Sequence, residues 1–239
     1  LGNDRVSALM TTSELSLNYP KEIVDNYIKN DFNNIFLRPL NPYGLALKNT
    51  NWEVYFEKFV DFYKAALNYI IDLNNQGTFF IEEFTAILLR KILTPFTTGF
   101  VDLQSPAGII NNVIVYNYDG YVYASDESRM LAEYQDYTFR LGHITDNYEN
   151  LFYGEKAQKL ATIWGTEFIA GCADCAYQTY CGADPVRNYS TQNDVYGFRP
   201  DSSFCKKHKA IITHLFNLIR NERDRVMPIF KQWINWNEN

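Results

Sequence analysis

The apolar positions change their period several times along the chain. Over residues 6–12 they show no helical repeat (Val6, Ala8, Leu9, Met10) and end on Thr11, Thr12 and Ser13, which predicts a buried strand. Over 20–30, Ile23, Val24, Tyr27 and Ile28 share one helical face and Pro20 sits in the first turn, which predicts a helix. Residues 34–40 carry Ile35, Phe36 and Leu37 and stop at Arg38-Pro39, a second strand followed by the turn Asn41-Pro42-Tyr43-Gly44. From 52 to 75, Trp52, Tyr55, Phe56, Phe59, Phe62, Tyr63, Ala66, Leu67 and Ile70 recur at helical spacing, with Gly77 as the stop. Strand–helix–strand–helix is the signature of a parallel α/β unit. A further helix is expected over 81–93, ended by Pro95.

The character then changes. Residues 101–108, with Pro106 and Gly108, read as irregular, and a boundary there divides the chain into 1–104 and 105–239. Residues 113–118 and 121–124 flank Asp119-Gly120, the signal of a hairpin with a type I′ turn, in which both central residues take positive φ. Asp119 is thus a turn residue rather than an acid catalyst. Residues 134–150 are mixed, 155–164 read as helix, and 188–203 as a polar stretch. Cys205 is expected to open a last helix to about 225, buried through Ile211, Ile212, Leu215, Phe216 and Ile219. His208 and His214 are expected to be solvated on it, and His143 follows Gly142 in a loop. No fixed-period repeat or low-complexity tract occurs.

Composition narrows the function. The chain has 239 residues, 46% hydrophobic and 16% aromatic, enough for a substantial core. Its formal charge of -6 offers no basic field, so nucleic acid is excluded as the default partner. No apolar run approaches the roughly 20 residues of a membrane span, and residues 1–10 lack the apolar core of a signal peptide. The chain opens Leu1-Gly2-Asn3-Asp4, without Met, and enters a strand almost at once, so we expect it to be the remainder of a longer protein.

The four cysteines carry the candidate chemistry. Cys172, Cys175, Cys181 and Cys205 form C-x2-C-x5-C, then 23 residues, then C. A disulfide framework spreads its thiols to staple loops, whereas three within ten residues suit a shared metal centre. Four thiolates satisfy either a tetrahedral zinc or an iron–sulfur cluster. Zinc sites usually bring two short C-x2-C knuckles; this spacing favours a cluster. Gly171, Gly182 and Pro185 bracket the thiols with turn chemistry, which argues against four unrelated buried cysteines.

The string Gly171-Cys172-Ala173-Asp174-Cys175, then Tyr180-Cys181-Gly182-Ala183-Asp184-Pro185, then Phe204-Cys205-Lys206 resembles the auxiliary-cluster region, of SPASM or "twitch" type, of radical SAM peptide maturases. The hairpin Asp119-Gly120-Tyr121-Val122-Tyr123 and the step Leu141-Gly142-His143-Ile144 occur in that family's order, and Cys-Gly-Ala-Asp-Pro is most similar to the maturase of the His-Xaa-Ser peptide system. Residues 6–16 and 35–44 resemble the last two strands of the family's partial (β/α)6 barrel. The implied fold is α/β, α+β overall: the last two β/α units of that barrel, then a domain with a hairpin, a cysteine loop and a C-terminal helix.

The resemblance also implies chemistry. The family's C-x3-C-x2-C motif, which holds the SAM-cleaving cluster, does not occur in these 239 residues, so the chain alone is expected to be inactive. SAM and the second [4Fe–4S] cluster are implied only for the parent protein. The family's first auxiliary cluster has ligands where this chain has Ser125 and Pro185, so that cluster is expected to be absent. One auxiliary [4Fe–4S] cluster on Cys172, Cys175, Cys181 and Cys205 is implied, for electron transfer, for tying 188–203 to the last helix, or for both; zinc is the alternative after aerobic handling. The implied partners are a ribosomally made precursor peptide, the N-terminal half-barrel of the parent and an electron donor or acceptor protein, in the cytoplasm. In such barrels functional groups sit at the C-terminal ends of strands, here Thr11, Thr12, Ser13 and Arg38, and Arg38 is suited to a carboxylate of SAM or peptide. Asp184 is either a loop cap or a residue supporting the cysteines. The rival reading is a zinc-stabilised module that binds a peptide or protein and catalyses nothing. An unpaired edge on the 6–12/35–40 strand pair is expected to associate with another copy or with the missing half-barrel.

Overall fold

The computed structural model describes residues 8–162, 165–200 and 202–235. They fall into two compact units: 8–40, 51–98 and 206–235 form one, and 41–50 with 99–205 form the other. The division is therefore not the single cut drawn at 104/105, because the C-terminal helices belong to the first unit and the short segment 41–50 to the second.

In the first unit, α1 (Pro20–Lys29) leads to β1 (Asn34–Ile35), α3 (Trp52–Asn75), β2 (Ile81–Glu82) and α4 (Glu83–Leu93). β1 and β2 are parallel, with Asn34 opposite Ile81 and Ile35 opposite Glu82. Thr12 makes a parallel bridge to Pro39, its N–H donating to Arg38 O at 2.8 Å. Three parallel strand positions thus alternate with helices, and the α/β class holds.

Three expectations change. Val6 and Ser7 lie outside the described residues, and Ala8 to Thr11 are not strand; the segment pairs only at Thr12. The second strand keeps two ladder residues and the bridge at Pro39. Ile81 and Glu82, expected as the first residues of a helix, form the third parallel strand instead, so the 35–40 segment has neighbours on both sides.

α3 explains the unit's core. Asn51 caps it, its side chain accepting from Val54 N, and a Schellman pattern closes it: Gly77 N donates to Asn74 O and Thr78 N to Leu73 O. Its apolar stripe is buried from Tyr55 to Ile71 and packs against α1 and α10 (Arg223–Trp233). The last expected helix is two: α9 (Ser203–Asn221), which starts before Cys205, and α10, which carries Val226, Phe230 and Trp233 into the core.

Very short strands need another tether, and Glu82 supplies it. This fully buried carboxylate caps α4, accepting from Thr85 N at 2.6 Å and Phe84 N at 3.3 Å. It also accepts from Leu37 N at 3.0 Å and from the Tyr63 hydroxyl at 2.6 Å. One side chain therefore joins the end of β1, the start of α4 and the middle of α3. Burial pushes its pKa up, and the hydrogen-bond donors pull the other way.

The second unit holds α2 (Gly44–Asn49), a three-stranded antiparallel sheet and further helices. The sheet runs β3 (Val115–Tyr116), β4 (Tyr121–Tyr123), β5 (Arg140–His143). The hairpin stands where expected, but its turn differs. Gly120 has φ +81° and Asp119 does not have positive φ. Gly120 N donates to Asn117 O and Asn117 N to Tyr121 O, a type I turn closed by a Gly bulge. Asp119 caps it, accepting from Tyr121 N at 3.0 Å. β5 comes from the segment read as mixed. α5 (Asp126–Ala132), α6 (Tyr148–Tyr153), α7 (Glu155–Thr162) and α8 (Pro185–Gln192) accompany a core of Tyr43, Ala107, Ile109, Ala124, Leu131, Phe139, Leu160, Ala183 and Val186. α8 runs into the stretch expected to be irregular. No helix among the described residues is long and apolar enough to cross a membrane.

Glu82→Ala should destabilise the first unit by at least about 3 kcal/mol, since buried donors that lose their acceptor cost about 1–3 kcal/mol each. Glu82→Gln, which keeps one acceptor oxygen, should cost less. Urea unfolding followed at α-helical ellipticity measures both, and equal midpoints for wild type and Ala variant would refute the tether.

Candidate functional site

The cysteine loop is a run of tight turns. Cys172 N and Ala173 N donate to Ile169 O, Cys175 N to Cys172 O, Gln178 N to Cys175 O, and Cys181 N to Tyr177 O and Gln178 O. These bonds place three thiols on a short, internally bonded segment. Cys205 lies in the first turn of α9, where its N–H donates to Ser202 Oγ at 3.2 Å. All four cysteines are half-buried and none is in a disulfide.

Both ends of the loop are held by close approach. Gly182 lies so near the backbone of Asp102–Gln104 that a Cβ would stand 2.3 Å from Asp102 O, and Ala183 N donates to Gln104 O at 2.9 Å. Gly171, at φ +74°, meets Pro200, whose Cγ would be 2.4 Å from an added Cβ. Any side chain at either position would push the loop off its seat.

Arg199 completes the fastening. It is 2% exposed, and its Nη2 donates to Gly182 O at 2.7 Å. The same carbonyl lies 3.7 Å from Cys181 Sγ. The guanidinium also lies over the Phe204 ring, 5.0 Å from its centroid. One buried cation therefore contacts the residue after Cys181 and the residue before Cys205. Its Nη1 is buried with no hydrogen-bond partner.

A polar network adjoins it. Arg187, also buried, lies 5.6 Å over Phe204, and burial lowers its pKa. Asp184 caps α8 by accepting from Arg187 N at 2.9 Å, which decides the open question in favour of a cap. Burial, then the charge of Asp102, raises the Asp184 pKa to about 6, against the pull of Arg187 and Arg199. Glu127 is raised to about 7 by burial and then by Asp102 and Asp184. Tyr43 is raised by burial first and by Asp184 next. The sequence points to neither arginine: Arg187 follows an Asp-Pro cap signal, and Arg199 stands inside a stretch that reads as polar and solvated.

Ser125 and Pro185, where the resemblance places ligands of a further cluster, have capping roles. Ser125 forms a capping box with Ser128 at the start of α5, and Pro185 is the first residue of α8. His208, expected in solvent, is buried with its ring edge-on to Phe84 at 5.9 Å, because α9 turns that face inward. His214 is half-buried, its Nε2 is without a hydrogen-bond partner, and burial lowers its pKa. His143 ends β5 and packs on Tyr121.

The strand-end residues in the first unit are brought together in part. Thr12 and Arg38 meet through the backbone, and the Tyr55 hydroxyl donates to Thr12 O at 2.6 Å while accepting from Leu40 N at 2.8 Å. The Thr12 hydroxyl is fully buried with no hydrogen-bond partner. Ser13 is exposed and bonded to Ser16.

The thiol set suits a metal centre by its chemistry. A single zinc ion, with Zn–S bonds of about 2.3 Å in a tetrahedron, needs sulfurs about 3.8 Å apart. Among the described residues no three His, Cys, Asp or Glu side chains form a group that could hold a metal ion. A four-iron cluster asks for wider spacing, because each thiolate binds a different iron and the cube itself separates the sulfurs. Arg199 brings a buried cation to the residue after Cys181 and the residue before Cys205.

Glu127 and Asp184 bind protons more tightly in the folded than in the unfolded chain. Their contribution to stability is complete below about pH 4 and is lost as pH rises through about 6 and about 7. Glu127→Gln should therefore flatten the fall in melting temperature over that range. A steeper fall in the variant than in wild type would overturn this assignment.

No protein-family model matches the chain, and no curated protein matches it. Solved structures do. The hexahistidine-tagged form of anSMEcpe with bound AdoMet, a sulfatase-maturating radical SAM enzyme, superposes with a TM-score of 0.65 at 16% identity, covering 95% of this chain and 57% of that one. Native anSMEcpe with bound AdoMet and Kp18Cys peptide gives 0.63 at 16% identity, over 91% and 57%. This chain thus spans little more than half the length of those enzymes, and over that span its fold is theirs.

Proposed function

We propose that the chain is part of a radical SAM enzyme that modifies a ribosomally made peptide, and that Cys172, Cys175, Cys181 and Cys205 hold one auxiliary [4Fe–4S] cluster. The observation that carries the reading is the fold shared with an AdoMet-binding, peptide-bound enzyme, over 95% of the chain for the AdoMet form and 91% for the peptide complex. The fastened cysteine loop supports the cluster: a buried arginine ties the backbone beside Cys181 to the ring beside Cys205. The string Cys181-Gly182-Ala183-Asp184-Pro185 supports the His-Xaa-Ser maturase as the type.

In this reading SAM cleavage belongs to a part of the parent that carries C-x3-C-x2-C, a motif these 239 residues lack, so the chain alone is inactive. A cluster bound at the four thiolates supplies one-electron transfer, with a donor or acceptor protein as its partner. The chain's own groups position it: the turn bonds of 172–181 fix three thiols, and the first turn of α9 fixes the fourth. Arg38, Thr12 and Ser13, at the C-terminal ends of parallel strand positions, are assigned to SAM or peptide, where Arg38 would meet a carboxylate. The parent would work in the cytoplasm, alongside its precursor peptide and its N-terminal half-barrel.

Anaerobic reconstitution with iron and sulfide tests the centre. A brown protein with about four irons per chain is expected, and Cys205→Ala should lose most of the iron. Unchanged iron in that variant would refute ligation by Cys205. A colourless protein that takes one zinc and no iron would establish the zinc-stabilised binding module instead.

A further inference from the structure

Two cations of the second unit are anchored on one peptide group. The Tyr137 carbonyl accepts from Arg140 N at 3.1 Å and from Lys156 Nζ at 3.5 Å. β5 thus brings Arg140, and α7 brings Lys156, to the same point. Burial first and the Arg140 charge next push the Lys156 pKa down. Among the described residues neither cation forms an ion pair. Two acids, Asp119 and Glu133, act with Arg140 on the nearby Tyr123 hydroxyl, but each is engaged elsewhere. Asp119 accepts from Tyr121 N in the hairpin turn, and Glu133 pairs with Arg129.

The guanidinium is held in place while its donors stay unused. Its Cζ lies 4.2 Å from the Tyr121 ring centroid and 4.6 Å from that of Tyr137. These contacts fix the side chain through its charge and leave its N–H groups free. Arg140 is half-buried, and its guanidinium N–H groups make no hydrogen bond to the described residues yet stay open to water. Lys156 is exposed beside it. Two like charges kept close repel each other, and an anion received by both would turn that repulsion into attraction.

The chemistry of the pair selects the ligand. A guanidinium edge fits the two oxygens of a carboxylate, and an ammonium beside it adds a second charge-assisted contact. The Tyr137 ring is 45% exposed and the Tyr121 ring partly so, which gives apolar area to the residue that bears the carboxylate. The chain's formal charge of -6 repels a polyanion, so the carboxylate belongs on a short segment of low charge. We propose that Arg140 and Lys156 receive the side-chain carboxylate of a bound acidic peptide, with the Tyr121 and Tyr137 rings flanking it. This inference goes beyond the cluster reading and holds for the chain with or without iron.

The test titrates the full 239-residue chain, grown with nitrogen-labelled arginine, with the blocked peptide acetyl-Gly-Glu-Tyr-Glu-Gly-amide and follows guanidinium signals by NMR. The Gln-for-Glu counterpart and inorganic phosphate serve as comparison probes. The Arg140 Nε–H signal, identified by its loss in Arg140→Lys, should move and saturate with the Glu peptide and stay in place with the Gln peptide. Added salt should weaken the binding. Arg140→Gln and Lys156→Glu should each weaken it by about tenfold, the scale of a lost hydrogen bond to a charged group. Lys156 is exposed on α7, so its variant decides the matter even if Arg140→Gln disturbs the sheet. Equal binding of the two peptides, undiminished affinity in Lys156→Glu, or an Arg140 signal that moves with phosphate alone would overturn the proposal.

Discussion

The second unit depends on how closely one peptide can approach another at Gly182. With no Cβ, its backbone comes against Asp102–Gln104, and its carbonyl is left facing Arg199. That contact sets where the cysteine loop ends. Arg199 in turn is held by Phe204, so the first turn of α9 and the end of the loop are positioned by the same guanidinium. The residue after Cys181 and the residue before Cys205, separated in sequence, are thus joined through one buried guanidinium.

The first unit solves a related problem with the opposite charge. Its strands are too short for ladder hydrogen bonds to hold them, and Glu82 replaces the missing ladder with side-chain acceptance from three elements. The cost of burying a carboxylate is offset only because its lone pairs are filled by donors that would otherwise lack acceptors. In both units a buried ion fixes connections between segments that regular secondary structure leaves loose. Such ions tolerate little change, while the apolar positions around them accept many residues of similar size.

Much of the fold is legible because hydrophobic period reports burial directly. The stripe of α3 follows from it, while the Gly77 stop and the hairpin around Gly120 follow from glycine turn chemistry. Ile81 and Glu82 escape it, because period cannot separate two residues of strand from the first turn of a helix, and because Glu82 is a charged residue in a core position. The turn at Asp119-Gly120 escapes it for another reason: the same dipeptide serves a type I turn with a bulge, and only the strand register separates the two. His208 lies beside Lys206, Lys207 and Lys209, and a histidine among lysines reads as solvated until Phe84 packs against it. The cysteines stand out by composition and spacing alone. Arg199 and Arg187 do not, since an arginine among Asn, Asp, Ser and Gly looks like surface until the fold removes the water around it.

Helix caps fix chain ends in the second unit. Ser125 with Ser128, and Asp184 with Pro185, satisfy the free N–H groups at the starts of α5 and α8. A metal ligand at Ser125 or Pro185 would fix the same chain ends by coordination. Hydrogen-bonded caps do so with neutral or buried-acid chemistry, and they bring Glu127 close enough to Asp184 for that charge to raise its pKa. The network of Asp102, Glu127, Asp184, Arg187 and Arg199 is then the electrostatic consequence of capping two helices against each other in a dry place.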